Sequence, residues 1–181
     1  DGEVVRRATR LLLEKHLRQH IDQRGLSHAW ARQFMLTLDP LRMHFLASDA
    51  DEFMKQSPLI LEKAQTGQVD FAVLVAERFL TRLDANASLI SRLLAGKHDF
   101  TIDECVPLEY AEYAAERIDC DKRWRLRIKY ELLLENPTDP GSSGSREFLR
   151  SRYSRIQNHF DSVSQSKILS LYIDSLARSL D

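Results

Sequence analysis

The sequence predicts an all-α protein, an irregular bundle of about six to eight helices. Three observations carry this. Chain breakers are sparse, with 6 glycines and 5 prolines in 181 residues. Long segments repeat their apolar residues at steps of three and four, the spacing of one helix face. Only "HDFTIDECV" (98–106) hints at alternation, and no neighbouring segment offers it a strand to pair with.

The elements follow in order. Residues 3–20 carry Val4, Val5, Ala8, Leu11, Leu12 and Leu17 on a helical repeat. Ser27 introduces a second helix with Ala31, Phe34, Met35 and Leu38. That helix ends at Asp39, because the residue before Pro40 is pushed out of helical geometry. Leu41, Met43, Phe45 and Leu46 then fasten a connector to the core. Ser48 with Asp51 three residues later reads as a helix start, and Asp49, Asp51 and Glu52 suit the positive end of its dipole.

The longest helix is "QVDFAVLVAERFLTRLDANASLISRLLAG" (68–96). Ala72, Val75, Ala76, Phe79, Leu80, Leu83, Ala87, Ile90 and Leu94 form its apolar face, and Gly96 stands where a positive φ would end it. A further helix is expected from Leu108 to Glu135, with a break near 119–121. Its stripe is Tyr110, Ala114, Ile118, Trp124, Ile128 and Leu132. "ENPTDPGSSGS" (135–145) interrupts, and residues 136–145 are expected as a flexible linker, native or introduced. The last helices, within 146–181, carry Leu149, Tyr153, Ile156 and Phe160, then Ile168, Leu169, Tyr172, Leu176 and Leu180. Residues 1–181 read as a single helical domain.

Composition excludes several function classes. Lys+Arg 26 against Asp+Glu 27 gives a net charge of −1, without the basic excess of a nucleic-acid binder. No stretch reaches the roughly 18 apolar residues of a membrane span, so no membrane insertion is expected. The chain opens at Asp1 without a signal segment, and reads as a processed form or a piece of a longer protein. Cys105 and Cys120 would lie roughly 22 Å apart on one continuous helix, so two free thiols are expected, although Pro107 between them leaves a bridge open.

Candidate sites are few. His16 and His20 share a helix face, yet the glutamate of an H-E-x-x-H zinc motif is missing and no third ligand is visible. Asp49, Asp51 and Glu52 resemble the start of a calcium loop, but Phe53 and Met54 occupy the next ligand position and the obligatory glycine. Ser145 stands where a G-x-S-x-G elbow needs glycine. No catalytic residue, metal site or cofactor is therefore assigned. "DKRWRLRIKYE" (121–131) splits its charges, Arg123 and Arg127 on one side and Lys122, Arg125 and Lys129 on another. Asp119, Asp121, Glu131 and Glu135 supply intrahelical partners, and Trp124 packs inward. Arg123, Trp124 and Arg127 are the one candidate protein-contact surface. They are also the contact face of the rival reading, a free-standing helical interaction or nucleic-acid-associated module.

Three segments go further. "LDPLRMHFLASDADEF" (38–53) resembles the L-D-P-x-R-x-x-F-x-x-x-D-x-x-x-F signature of the N-terminal domain of tail-specific, or carboxy-terminal processing, proteases. "WRLRIKYELL" (124–133) resembles that domain's W-R-x-R-x-K-x-x-L-L segment. "ILSLYIDSLARSLD" (168–181) resembles the stretch that precedes its PDZ module, where a proline would follow Asp181. The resemblance implies a periplasmic or otherwise extracytoplasmic serine endopeptidase with a Ser/Lys dyad in a later domain. It implies a non-catalytic fragment here. Its expected partners are the PDZ and peptidase domains of the parent chain, protein substrates and an adaptor protein, with no nucleic acid among them.

Overall fold

The computed structural model describes residues 2–15 and 22–180. Helices account for the regular structure among them, and the nearest approach to a sheet is an isolated bridge between Leu46 and Ala114. The all-α expectation holds. No helix among the described residues is long and apolar enough to cross a membrane. The chain divides into two compact units, residues 1–40, 48–79 and 163–181 in the first, and 41–47 and 80–162 in the second.

The first unit contains α1 (Gly2–Lys15), α2 (Gln23–Leu38), most of α3 (Ala47–Gln56), α4 (Ile60–Gln65) and α8 (Gln165–Leu180). It also takes the start of α5 (Asp70–Ala95), up to Phe79. Its core is aromatic. Trp30 of α2 is fully buried and stacks on Tyr172 of α8, ring centroids 4.1 Å apart. The indole Nε1 donates to the Tyr172 carbonyl at 2.8 Å and to Ser175 Oγ at 3.1 Å, so the buried ring leaves no polar atom unpaired. Phe34, one turn on from Trp30, meets Tyr172 edge-on at 5.0 Å.

Two helix starts differ from expectation. Asp22, not Ser27, caps α2 by accepting from the Arg24 amide at 3.1 Å, and Ser27 lies buried inside the helix. The aspartate one turn earlier is the stronger acceptor for the orphan amides. Ser48 likewise sits inside α3, whose first residue is Ala47. The short α4 went unpredicted. It ends at Gly67, whose φ of +81° lets its amide reach Ala64 O at 3.0 Å while Gln68 N reaches Lys63 O at 2.9 Å, a Schellman closure.

The second unit is built from the rest of α5, α6 (Arg117–Glu135), α7 (Ser143–Asp161) and the connector 41–47. Met43, Leu89, Ile90, Leu94, Cys120, Trp124, Ile128, Leu132 and Leu149 form its core. Here α6 begins nine residues later than the expected Leu108, and it runs unbroken through 119–121. The backbone before it is engaged elsewhere. The Ala114 carbonyl accepts from the Ala47 amide at 2.8 Å, and the Tyr110 carbonyl accepts from the Arg42 guanidinium at 2.5 Å. Those carbonyls serve the connector instead of a helical ladder.

The end of α5 also departs from expectation. Gly96 follows Ala95 without a positive φ. Its amide is shared between Arg92 O at 3.0 Å and Leu93 O at 3.2 Å, a tightened last turn. The open carbonyls of Leu94 and Gly96 receive the Arg146 guanidinium, the latter at 2.7 Å, which places a cation at the negative end of the helix dipole. Residues 137–141 turn, Ser142 caps α7 by accepting from the Ser145 amide at 3.2 Å, and 143–145 already belong to that helix.

Candidate functional site

Helix α6 carries two working faces. Cys120, Trp124, Ile128 and Leu132 recur at four-residue steps and face the core of the second unit. Leu126, Lys129, Tyr130 and Leu133 recur at three, one and three, a second stripe on the same helix.

The core face holds the connector. Trp124 Nε1 donates to the Met43 carbonyl at 2.9 Å, and its ring meets His44 at 5.3 Å and Tyr153 at 5.9 Å edge-on. The same carbonyl takes the Cys120 thiol at 3.3 Å and Asn86 Nδ2 at 3.4 Å. Asn86 is fully buried on α5, whereas its neighbour Ala87, expected inside, is half-buried. Its amide also reaches His44 Nδ1 at 3.1 Å. One residue back, Arg42 adopts a φ of +52°, a conformation that costs energy outside glycine and persists only when its surroundings hold it. Here Arg123 holds it. That guanidinium donates to the Arg42 carbonyl at 3.0 Å and to the Glu112 carbonyl at 2.8 Å, and lies 3.9 Å above the Tyr110 ring.

The three residues expected as a contact surface are thus placed in one region with different surroundings. Trp124 is 5% exposed, Arg123 spans the connector and the 110–112 segment, and Arg127 pairs with Glu131 at 2.6 Å. Glu131 is buried and also accepts from Tyr153 Oη at 2.8 Å. Burial, with Glu131 beside it, raises the Tyr153 phenol well above the usual tyrosine range.

The second face of α6 opens a cleft. Segment 100–106 crosses above it, and the space between measures about 210 Å³. Phe100, Ile102, Val106, Leu126, Tyr130 and Leu133 supply its apolar lining. Lys129 was expected on a solvated side but is buried, donating to the Ile102 carbonyl at 2.7 Å and to Glu104 at 2.6 Å. Arg125 pairs with the other Glu104 oxygen. The Arg125 and Lys129 hydrogen bonds hold the Glu104 carboxyl at about 2, against an ordinary 4.5. The partner of these two cations lies twenty-one and twenty-five residues upstream, so intrahelical spacing alone misses it. A smaller hollow continues past Val106, lined by Leu41, Met43, Leu108 and Tyr110.

The remaining sequence candidates fall apart as sites. Asp49 is buried and pairs with Arg78 of α5 at 2.5 Å, and Glu52 reaches the same guanidinium at 2.9 Å. These two acids join helices of the first unit, a task beyond the end-of-helix role expected of them. His16 and His20 lie outside the described residues. No group of three or more metal-ligating side chains gathers among the described residues. Both cysteines are thiols, Cys105 exposed and Cys120 buried. Ser145 is buried with its hydroxyl 2.7 Å from Ser142 Oγ, part of the α7 cap.

Residues 8–181 match the family model described as the tail specific protease N-terminal domain. The chain belongs to that family. No curated protein matches the sequence. For a tail-specific protease N-terminal domain, two of the three segments that carried the resemblance take on a spatial meaning. Met43 of the first and Trp124 of the second are hydrogen-bonded to each other, and the second motif's Arg125, Arg127 and Lys129 all hold carboxylates of the second unit.

Proposed function

We propose that this domain is a non-catalytic part of a serine endopeptidase that trims or degrades proteins from the carboxy terminus, in the periplasm or another extracytoplasmic space. In this reading it flanks the PDZ and peptidase domains of its parent chain. It serves substrate engagement, adaptor docking or assembly. The family match over nearly the whole chain is the observation that carries it. Two structural facts support an inert fragment. Ser145 spends its hydroxyl on a helix cap, and the Arg125 and Lys129 hydrogen bonds hold the Glu104 carboxyl below the usual range, away from proton transfer near neutrality. The free-standing nucleic-acid reading loses its footing, because Arg123, Arg125, Arg127 and Lys129 all have internal partners.

The reading frame beyond Asp181 tests the proposal directly. PDZ and Ser/Lys peptidase domains are expected there, and a stop codon refutes it. The purified 181-residue chain should leave an unstructured protein uncleaved over hours. Cleavage that disappears on Ser145→Ala would overturn the non-catalytic role.

A further inference from the structure

We infer that residues 101–109 form a strap across α6, latched by the Glu104 carboxylate, that lifts and closes without unfolding the second unit. The strap stands independently of the protease reading. Three observations carry it.

The first is burial. Phe100 and Tyr110 pack against the core of the second unit, and between them no side chain from 101 to 109 is buried. Beneath the segment lies the space of about 210 Å³, so the strap covers Leu126, Tyr130 and Leu133 without filling the gap above them. A segment with few close apolar contacts gives up little when it lifts.

The second is hydrogen bonding. Among the described residues, no backbone–backbone bond includes residues 101–109. Thr101 donates from its amide and hydroxyl to Asp99, back along the same segment. Every bond from 101–109 to α6 is donated by two side chains. Lys129 donates to the Ile102 carbonyl and to Glu104, and Arg125 donates to Glu104. Lifting the strap therefore breaks no ladder and frees one carboxylate and one carbonyl from two cations.

The third is charge. Residues 101–109 carry Asp103, Glu104 and Glu109 and no Lys or Arg, whereas α6 presents Arg125 and Lys129 to Glu104. Closure matches Glu104 to both cations but takes Lys129 out of water. The desolvation cost of a buried ammonium offsets much of the attraction, and both partners regain water when the strap lifts. Such a latch holds by a small margin, and salt narrows it.

The two ends are anchored separately. Arg42 donates to the Tyr110 carbonyl, and Arg123 donates to the Glu112 carbonyl while lying 3.9 Å above the Tyr110 ring. At the other end, His98 Nε2 lies 2.8 Å from the Leu93 carbonyl. Cys120, Trp124, Ile128 and Leu132 belong to the core face of α6 and do not line the space under the strap. Opening exposes the second stripe alone, so one ion-pair cluster controls how much apolar surface α6 shows to water.

Chymotrypsin tests this on the 181-residue chain. Leu108 is 84% exposed, but cutting after it requires several residues on either side to peel into extended form. The cut is followed by mass, with a free peptide of residues 99–112 as the unlatched reference. Where closing outpaces cleavage, the rate follows the open population. Wild type is expected to be cut at least about tenfold more slowly than the peptide. Glu104→Gln should speed the cut about fivefold, the worth of one partly exposed ion pair. Raising NaCl from about 0.05 to about 0.5 M should speed wild type relative to the peptide and move the variant less. Arg125→Gln leaves the buried Lys129 paired and should speed the cut about threefold, which serves if Glu104→Gln loses helicity. Throughout, Cys120 should stay closed to a thiol reagent, since it reports the core of the same unit.

Cleavage of wild type at the peptide's rate, indifference to both substitutions, or cleavage only as fast as Cys120 becomes reactive each overturns the inference. None of these results touches the reading frame, which decides the protease assignment separately.

Discussion

Trp124 is the residue on which a surface role and a structural role make opposite predictions. Replacing it by phenylalanine removes the Nε1 donor and keeps an aromatic ring. The Met43 carbonyl retains the Cys120 thiol and the Asn86 amide at 3.3 and 3.4 Å, so it is not stranded. The loss is then one neutral hydrogen bond, about 1 kcal/mol, plus about 1 kcal/mol for the smaller ring. Trp124→Ala empties the site and strips the edge contacts to His44 and Tyr153, for about 3–5 kcal/mol. In a chain of this length that corresponds to a midpoint lowered by roughly 6–20 °C. Urea titration followed by circular dichroism measures both variants. The chain has two tryptophans, Trp30 in the first unit and Trp124 in the second, so either variant leaves Trp30 fluorescence as a separate reporter of the first unit. A Trp124→Ala cost below about 0.5 kcal/mol, ordinary for a surface substitution, would refute the buried role.

Glu104→Gln should flatten the acid limb of stability. The folded carboxyl sits at about 2 and the ordinary value is 4.5, so its contribution is full above 4.5 and lost as the pH falls toward 2. Urea midpoints across that window should converge between wild type and variant, and a constant gap would contradict the pairing. Thiol titration of the native chain should count one reactive cysteine, Cys105, and a second only on unfolding, since Cys120 is buried. Two fast-reacting thiols in the native state would displace Cys120 from the core. Ser142→Ala removes the α7 cap and should cost about 1 kcal/mol by urea unfolding. No measurable change would place the start of α7 elsewhere.

Periodicity found what periodicity encodes. The apolar faces of α5, α6 and α8 were legible because burial repeats every three or four residues. Val75, Phe79, Leu83, Ile90, Trp124, Ile128, Leu132, Tyr172 and Leu176 are all buried as expected. What escaped has tertiary causes. Asn86 breaks the apolar pattern of α5 because the Met43 carbonyl and His44 need a buried donor there. Residues 108–116 have a helical composition, but their carbonyls bond to the connector and to Arg123. The cleft was missed because Lys129 looks like a solvated charge until Glu104 is brought over it. Its one local signal was the spacing of Leu126, Tyr130 and Leu133, a second apolar stripe on a helix already assigned a first.

The motif residues show why family identity and site identity part company here. A sequence signature usually suggests chemistry, yet Arg42 of the first motif and Trp124 of the second, with Met43 and the neighbouring Arg123, are engaged with one another and with backbone carbonyls of the second unit. Arg42 at positive φ would relax if Arg123 let go of its carbonyl, and Met43 would then lose register with Trp124 and Asn86. Each residue is needed because the others are where they are, and a substitution at one position strands a donor or acceptor at the next. The signature therefore specifies a joint that holds the connector against α6.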